Sequence, residues 1–386
     1  MSVKLLKVFF AILLALSIAF IVRIYTYDAY HFWSLEHPQD AKYSSNARIQ
    51  NAAFINHLNF DSIILGNSYM ENTSAKEASD VFGGKFFNLS MSGSNNYERS
   101  IVLKRTLETH DIKRVILLLT PSSSTEGHGS YPIETWKILY DDNRFNDVKY
   151  YLNTHDMVCM WTFSKKSSCL GRKKNLDRPY AWFESPDHAS RFGGIQNWAL
   201  FYKNPQLENL ITQEIPEAAN KALSIGTPLS DEEMAEISQS LDQTVFDFAR
   251  QSPDTEFLLY FNPDSLLGKA LTFRNYLSFT QYSYFVQQAV KKSSAFSNVH
   301  LFGFDNLAFT NDLSYYKDTT HYREDINSQL LYLMKAKKYS LSVDNVDSYL
   351  NKLWFRSEEF DLNIFNKLIQ RNLDEFRQSS VKRQKS

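Results

Sequence analysis

The stretch SIILGNS, residues 62–68, begins as a short apolar run and ends in a polar turn. Near-continuous apolar runs of this length are typical of strands that are buried on both faces of a sheet. Four more such runs occur: KFFNLSM at 85–91, RVILLLT at 114–120, EFLLYFN at 256–262 and VHLFGF at 299–304. Helix-like segments separate the first three runs, ENTSAKEASDVF at 71–82 and NNYERSIVLKRTLETHD at 95–111. This alternation predicts an α/β fold in three layers, α/β/α, around a five-stranded parallel sheet.

The composition favours a folded chain with no electrostatic preference for nucleic acid. Of the 386 residues, 43% are hydrophobic, which is enough for a packed core and argues against disorder. The formal net charge is -1, so the chain as a whole has no basic excess that would attract a polyanion. We therefore expect no nucleic-acid partner.

The N-terminal stretch reads as a membrane anchor. Lys4 and Lys7 precede an apolar run from Val8 to Val22, and Arg23 follows it. The segment is long enough to span a bilayer as a helix. A cleaved signal peptide is the alternative, but no small-residue cleavage site follows the run. We expect an uncleaved, single-pass helix with its N-terminus in the cytoplasm and the remainder of the chain outside.

Changes in sequence pattern divide the chain into four parts. Residues 1–27 are the predicted anchor, and 28–60 are a polar stalk with a lead-in helix. Residues 61–340 are the predicted α/β domain, and 341–386 form a helical tail. A stretch at about 121–229 has weak periodicity and is interpreted as a large insertion beside the sheet, where substrate-recognition loops are common. Ser230 and Glu233 then form a capping box at the start of a clearly amphipathic helix.

Two cysteines, Cys159 and Cys169, lie close together in the insertion. A local disulfide is compatible with an exported protein, and two free thiols are the alternative. Sequence spacing alone leaves the choice open.

Polar residues follow the ends of the predicted strands. In an open parallel sheet, ligands bind beyond the carboxyl ends of the strands. The residues found there are Gly66-Asn67-Ser68, Ser92-Gly93-Ser94-Asn95-Asn96, Thr120-Pro121-Ser122, Asn262-Pro263-Asp264 and Asp318-Thr319-Thr320-His321. The topology therefore predicts a polar site at one edge of the sheet.

Ser68, His321 and Asp318 are the candidates for nucleophilic catalysis. A serine nucleophile needs a base to take its proton and a carboxylate to orient that base. We expect a helix to begin after Ser68 and to direct its amide dipole at the site. We also expect Asp318 and His321 to share one face of a helical turn. Each residue has a simpler interpretation, Ser68 as a helix N-cap and the other two as a surface pair.

In this order, these motifs resemble the SGNH (GDSL-type) hydrolase superfamily. The resemblance rests on GNS at 66–68, NLSMSGSNNYE at 88–98 and DTTHY at 318–322, and it spans about 60–130 and 255–337. The chain is most similar to the membrane-anchored, extracytoplasmic branch, which includes proteins of teichoic-acid D-alanylation and alginate-type O-acetylation. The resemblance implies a flavodoxin-like sheet order.

The resemblance also implies roles for single residues. Ser68 would be the nucleophile, and the N–H groups of Ser68 and Gly93 would form part of the oxyanion hole. The family's third donor is an asparagine in a Gly-x-Asn motif after the third strand, but here that strand runs into Thr120-Pro121-Ser122. Asn95 and Ser122 are the candidates to replace it. Losing one such donor typically lowers the rate by ~100- to 1000-fold.

The function implied is that of a serine esterase or O-acyltransferase acting on a cell-envelope polysaccharide, anchored in the bacterial inner membrane with its catalytic domain in the periplasm. The substrates would be a glycan and an acyl donor, with no metal and no cofactor, and a multi-span membrane acyltransferase is a candidate partner. The alternative is a catalytically weak or inactive glycan-binding partner of such an acyltransferase. A simpler possibility is an anchored domain that binds a small ligand. The acyl group, the glycan, the choice between hydrolysis and transfer, and the oligomeric state stay open.

Overall fold

The computed structural model describes residues 3–121, 131–200 and 204–384. Its central element is a parallel sheet of five strands, each of which starts within one residue of the predicted apolar run. Along the described part of the chain, the strands are β1 (Lys42–Tyr43), β2 (Ser62–Leu65), β3 (Phe86–Asn88), β4 (Arg114–Leu119), β5 (Arg172–Lys173), β6 (Glu256–Phe261) and β7 (Val299–Gly303), and all but β1 and β5 belong to this sheet. The prediction of a mixed α/β fold with a five-stranded parallel sheet is confirmed.

The sheet order is β3-β2-β4-β6-β7. Ser62 pairs with Phe86 on one side and with Arg114 on the other, so the strands start in register and their carboxyl ends reach the same edge. β1 and β5 form a separate antiparallel pair that joins the segment before the sheet to the insertion.

Helices make up most of the remaining chain. They are α1 (Val3–Tyr27), α2 (Ala47–His57), α3 (Ala75–Phe82), α4 (Asn96–Thr109), α5 (Thr154–Trp161), α6 (Ser167–Leu170), α7 (Pro186–Ala189), α8 (Ile195–Leu200), α9 (Pro205–Asn209), α10 (Ile215–Ala219), α11 (Asp231–Leu241), α12 (Asp247–Gln251), α13 (Leu266–Asn275), α14 (Phe279–Ser293), α15 (Glu324–Lys335), α16 (Val346–Glu359) and α17 (Leu362–Gln384). The predicted capping box is present at α11, where Ser230 accepts from the backbone N–H of Glu233. π-helical turns precede α10 and α12.

Apolar side chains cover both faces of the sheet because successive residues of a strand point in opposite directions. Ile63 and Leu65 belong to one hydrophobic cluster, together with residues of α2, α4 and α14. Ile64 belongs to a second cluster, together with residues of α3, α8 and α15. This double burial explains why the strands are continuous apolar runs rather than alternating ones.

The tail packs on the domain instead of extending from it. Leu362, Ile369 and Leu373 of α17 are buried in the same cluster as the strand residue Ile116. α16 packs against α13 and α14. Burial of these apolar residues ties the C-terminal helices to the sheet.

The N-terminal helix α1 has a mean hydropathy of 2.8 over its most apolar window, and none of that window is buried. It is long and apolar enough to span a membrane.

In the insertion, Cys159 and Cys169 form a disulfide between α5 and α6, which resolves the alternative that the sequence leaves open.

Candidate active site

Ser68, His321 and Asp318 form a hydrogen-bonded chain at the carboxyl edge of the sheet. The Ser68 hydroxyl lies 2.8 Å from His321 Nε2, and His321 Nδ1 lies 2.8 Å from Asp318 Oδ2. The carboxylate can only accept, so Nδ1 carries the proton and Nε2 is free to accept from Ser68. The structure therefore brings together the three predicted residues with the connectivity of a catalytic triad.

Ser68 is presented by a turn and not by a helix. Met70 N–H donates to Asn67 O, and Asn67 Oδ1 accepts from Tyr69 N–H, so residues 67–70 fold back on themselves. Gly66 is required because a Cβ there would collide with the side chain of Met70. The expected helix directly after Ser68 is wrong: α3 begins only at Ala75, capped by Ser74. The expected effect of a helix dipole at Ser68 is wrong for the same reason, because that effect is confined to the first turn of a helix.

Asp318 and His321 lie on a loop closed by an antiparallel bridge between Tyr316 and Tyr322. Asp318 Oδ1 accepts from the backbone N–H groups of Thr320 and His321, at 3.0 and 2.8 Å. The predicted helical turn is therefore wrong. The spacing of three residues still brings the two side chains together, because the carboxylate caps its own turn.

The start of α13 holds this loop in place. Ser265 Oγ donates to Thr319 O at 2.6 Å, and the Ser265 backbone N–H donates to the same oxygen. Gly268, the third residue of α13, lies so close that a Cβ would approach Thr319 O to 2.5 Å. The glycine allows helix and loop to touch.

Asp318 is held in its ionised form. Burial alone would raise the pKa of this carboxyl, but the His321 ring, by charge and hydrogen bond, and the charge of Lys317 together lower the pKa below its usual value. An ionised Asp318 can fix the His321 tautomer and stabilise the imidazolium that forms when Ser68 gives up its proton.

The loop that carries Gly93 is fastened beside the turn of Ser68. Met91 N–H and Ser94 Oγ both donate to Gly66 O, at 2.9 and 3.1 Å. Gly93 has a φ of +64°, a left-handed conformation that glycine adopts without strain. The two predicted motifs are therefore joined by hydrogen bonds to the carbonyl of Gly66, two residues before Ser68.

The two candidates for a third oxyanion donor have different outcomes. Asn95 is the N-cap of α4: its Oδ1 accepts from Glu98 N–H at 2.8 Å, within a capping box. Its assignment as an oxyanion donor stays a prediction. Ser122 lies outside the described residues. After β4, Thr120 O accepts from the side-chain amide of Asn96, so the chain here is tied to α4.

Trp182, from the insertion, is a site residue that the sequence did not reveal. Its indole N–H donates to Ser68 O at 2.8 Å, and its ring stands edge-on to the His321 ring, with centroids 5.6 Å apart. Phe192 stacks against the same indole ring. The insertion thus forms an aromatic wall beside the serine, as its predicted position at the sheet edge suggested.

Lys317 and His188 complete this side of the site. Lys317 Nζ lies 4.1 Å from the centre of the Trp182 ring and 3.1 Å from His188 Nδ1. Burial lowers the pKa of Lys317 to about 8, and burial together with the charges of Lys317 and Arg191 lowers the pKa of His188 to about 4. His188 is therefore neutral at neutral pH and can accept from the ammonium group.

Buried ionisable side chains form hydrogen bonds to the backbone at the start of the Gly93 loop. Arg48 makes a bidentate ion pair with Glu98, at 2.7 and 2.9 Å, and donates to Ser92 O. Glu71 Oε1 accepts from the Ser92 backbone N–H at 2.8 Å. Both peptide groups of Ser92 are therefore fixed, which fixes the start of the Gly93 turn.

One group of three potential metal ligands, His155, Cys159 and Cys169, lies close together among the residues that the structure describes. Its two sulfur atoms are joined in the disulfide and do not provide thiolate ligands.

Comparison with known proteins does not identify a family for this chain. No family model matches the chain, and no curated protein matches it. A solved structure from Streptococcus pneumonia, provisionally described as a platelet activating factor, is similar over 75% of this chain and 89% of its own. The identity is 11% and the TM-score 0.36, so this likeness carries no argument about fold or function.

Proposed function

We propose that the chain is a membrane-anchored, extracytoplasmic serine esterase or O-acyltransferase of the SGNH type. The proposal rests on one observation, the continuous hydrogen-bonded path from Ser68 through His321 to Asp318. A serine used only as a helix cap would have no reason to contact an imidazole that is itself held by an ionised carboxylate.

The reaction would proceed through an acyl-serine. His321 Nε2 takes the Ser68 proton while Ser68 Oγ forms a bond to the acyl carbon of an ester. The ester C–O bond then breaks, and His321 returns the proton to the leaving alcohol. A second hydroxyl, from water or a sugar, then gives its proton to His321 while its oxygen bonds to the acyl carbon. The bond between that carbon and Ser68 Oγ breaks, and His321 returns the proton to Ser68 Oγ, which regenerates the serine. The backbone N–H groups of Ser68 and Gly93 would stabilise the oxyanion of each tetrahedral intermediate.

We propose that the sheet belongs to a three-layer, flavodoxin-like architecture. Numbered along the sheet's own strands, the order β3-β2-β4-β6-β7 is 2-1-3-4-5, which is the flavodoxin-like order. Hydrophobic clusters on both faces support this assignment.

A cell-envelope polysaccharide outside the bacterial inner membrane is the substrate that we propose. α1 would anchor the chain as a single span, and the disulfide suits an oxidising compartment. Trp182 places a half-buried aromatic ring beside Ser68, and aromatic side chains are common contacts of sugar rings. A multi-span membrane acyltransferase would supply the acyl group.

A fluorophosphonate probe tests the proposal, because it reacts only with an activated serine. We expect the full-length protein to be labelled and Ser68→Ala to be unlabelled. Ser294→Ala, which removes an exposed hydroxyl at the end of α14, is the matched control and should be labelled like wild type. Asp318→Asn should slow the labelling by roughly 1000-fold or more, because the His321 tautomer is no longer fixed.

A folded wild-type protein that takes up no label would overturn the enzyme proposal. The second candidate function, a glycan-binding partner of an acyltransferase, would then be favoured, as the missing Gly-x-Asn after β4 allows. With 4-nitrophenyl acetate as donor, an acetylated oligosaccharide would identify transfer, and free acetate alone would identify hydrolysis.

A further inference from the structure

The C-terminal end of α1 packs against the disulfide segment, residues 154–170, which comprises α5, α6 and the turn between them. Phe20 lies beside Trp161, with ring centroids 6.4 Å apart. Arg23 donates to Trp161 O, and the Tyr27 hydroxyl donates to Ser164 O at 2.6 Å. The disulfide between Cys159 and Cys169 ties the segment together at this point.

The disulfide segment exposes large apolar side chains next to that contact. Val158 is 57% exposed, Trp161 54% and Phe163 60%. Lys165 and Lys166 follow directly in the sequence. Exposed apolar groups rimmed by basic ones are typical of a surface that meets a membrane interface.

Phe163 adds an independent observation. Its φ is +47°, a left-handed conformation that disfavours residues other than glycine. It follows α5 at the position where helices usually place a glycine. The aromatic ring therefore occupies a strained backbone position and is still largely exposed, with the Arg23 guanidinium against it. The backbone conformation therefore gives no reason for a phenylalanine at this position.

The depth of α1 places these residues at a membrane boundary. The apolar run ends at Val22, and about 20 helical residues cross a hydrocarbon core of about 30 Å. With α1 across the bilayer, Phe20 would lie just inside the core, and Arg23, one turn on, would lie at the interface. Trp161 touches both residues, so it shares their depth. Tryptophan is the residue that favours this layer of a bilayer.

We propose that Val158, Trp161 and Phe163 form a membrane-docking surface that inserts into the outer interface of the bilayer that α1 crosses. Lys165 and Lys166 would meet the lipid phosphate groups. The docking rests on the proposed anchor. It fixes the orientation of the catalytic domain to the membrane through a second contact beside α1. The aromatic wall at Ser68 comes from the same insertion, so this contact also orients the site.

The test uses the full chain in lipid nanodiscs of phosphatidylcholine with a minority of phosphatidylglycerol. Tryptophan emission is measured with lipids brominated on the acyl chains, which quench inserted rings, and with aqueous iodide, which quenches exposed ones. The difference between wild type and Trp161→Phe isolates the emission of Trp161. We expect brominated lipid to quench this emission and iodide to leave it largely unchanged. Quenching by iodide and not by lipid would overturn the proposal. A protein partner in the cell would then be the alternative occupant of this surface.

Phe163→Gly gives a second measurement on a variant that is expected to fold like wild type. Glycine adopts the left-handed conformation without strain, so the variant should be at least as stable as wild type while Trp161 becomes more accessible to iodide. Phe355→Ser removes a comparably exposed aromatic from α16 and should leave both quenching results unchanged. If Phe163→Gly behaves like Phe355→Ser, the docking surface does not include Phe163 and the proposal fails in this form.

Vesicle flotation separates this proposal from the anchor on which it rests. If the full chain does not float with vesicles, the anchor fails and docking fails with it. If the chain floats but Trp161 stays open to iodide, the anchor stands and docking alone fails. Fluorophosphonate labelling of Ser68 is independent of both results.

Discussion

At the scale of single residues, Glu71 is the most unusual ionisable group beside the site. Its side chain is 6% exposed, and its carboxylate accepts from the Ser92 backbone N–H. Burial raises its pKa to about 7, although that hydrogen bond and the charges of Lys174, Lys317 and Arg48 each lower it. The carboxyl group therefore titrates near neutral pH in the folded protein.

This shift predicts that Glu71 makes the fold less stable as pH rises. The carboxyl has a pKa of 4.5 when unperturbed and about 7 when folded, so between these values only the folded chain holds the proton. The contribution of Glu71 to the free energy of unfolding is fully present below its unfolded pKa of 4.5. It falls, by on the order of 3 kcal/mol in total, as pH rises through the folded pKa of about 7. Glu71→Gln keeps an acceptor for Ser92 and removes this loss. We expect the free energy of unfolding in urea to increase in the variant relative to wild type between about pH 5 and about pH 8.

The comparison with wild type isolates Glu71 from other groups. Burial also raises the pKa of Asp147 to about 7, but Asp147 titrates in both proteins and cancels in the difference. Parallel stability curves for variant and wild type across this pH range would contradict the prediction.

At the scale of elements, the contact between α13 and the loop of Asp318 and His321 decides how well the site is aligned. A Cβ at position 268 would lie 2.5 Å from Thr319 O, a backbone atom that cannot rotate away. Gly268→Ala should therefore push the loop away from α13 and move His321 from Ser68. A misplacement of about 1 Å can cost about 100-fold in rate. We expect the rate of fluorophosphonate labelling to fall by more than 10-fold.

Gly83→Ala is the matched control for this prediction. Gly83 follows α3 with a φ of +77°, and a Cβ there would meet nothing within 4 Å. The substitution should lower stability by roughly 1–3 kcal/mol through backbone strain and leave the labelling rate unchanged. A Gly268→Ala variant that labels at the wild-type rate would show that the loop does not depend on α13.

The elements also show what the sequence could predict. The strands were predictable because both of their faces are buried, so β4 appears as the uninterrupted run RVILLL. The pattern predicts a helix directly after Ser68, whereas the true cap, Ser74, lies six residues later within the same polar stretch. Asp318 and His321 lie together, as their spacing predicts, but through a contact that the pattern does not contain, a carboxylate that caps its own loop.

Long-range contacts account for the remaining gaps. Trp182 meets Ser68 across 114 positions of sequence, and no local pattern in the insertion announces that contact. Arg48 and Glu98 are buried polar residues on helices of low amphipathicity, and their pairing depends on how α2 and α4 pack. Charged residues are rarely buried unless they are paired, so a sequence gives no sign of such a pair until the packing is known.

At the scale of the whole molecule, the proposed topology places everything after α1 outside the cytoplasm. The disulfide between Cys159 and Cys169 reports on that topology, because disulfides persist in oxidising compartments and are reduced in the cytosol. It closes a short loop, with a sequence separation of 10, and should contribute about 3 kcal/mol by restricting the unfolded chain. The same bond also links α5 to α6 in the disulfide segment, which contacts the C-terminal end of α1.

We therefore expect both thiols of the full-length protein to resist a maleimide mass tag in intact cells lysed into the reagent, and to react only after reduction. A chain lacking residues 3–27 lacks the proposed anchor and should stay in the cytoplasm, where thiols are kept reduced, so it should take up two tags without reduction. The measurement is a gel shift on denatured samples, with the reduced full-length chain as the reference for two tags. If the full-length chain takes up both tags without prior reduction, the proposed orientation of α1 is wrong and the site at Ser68 faces the cytoplasm.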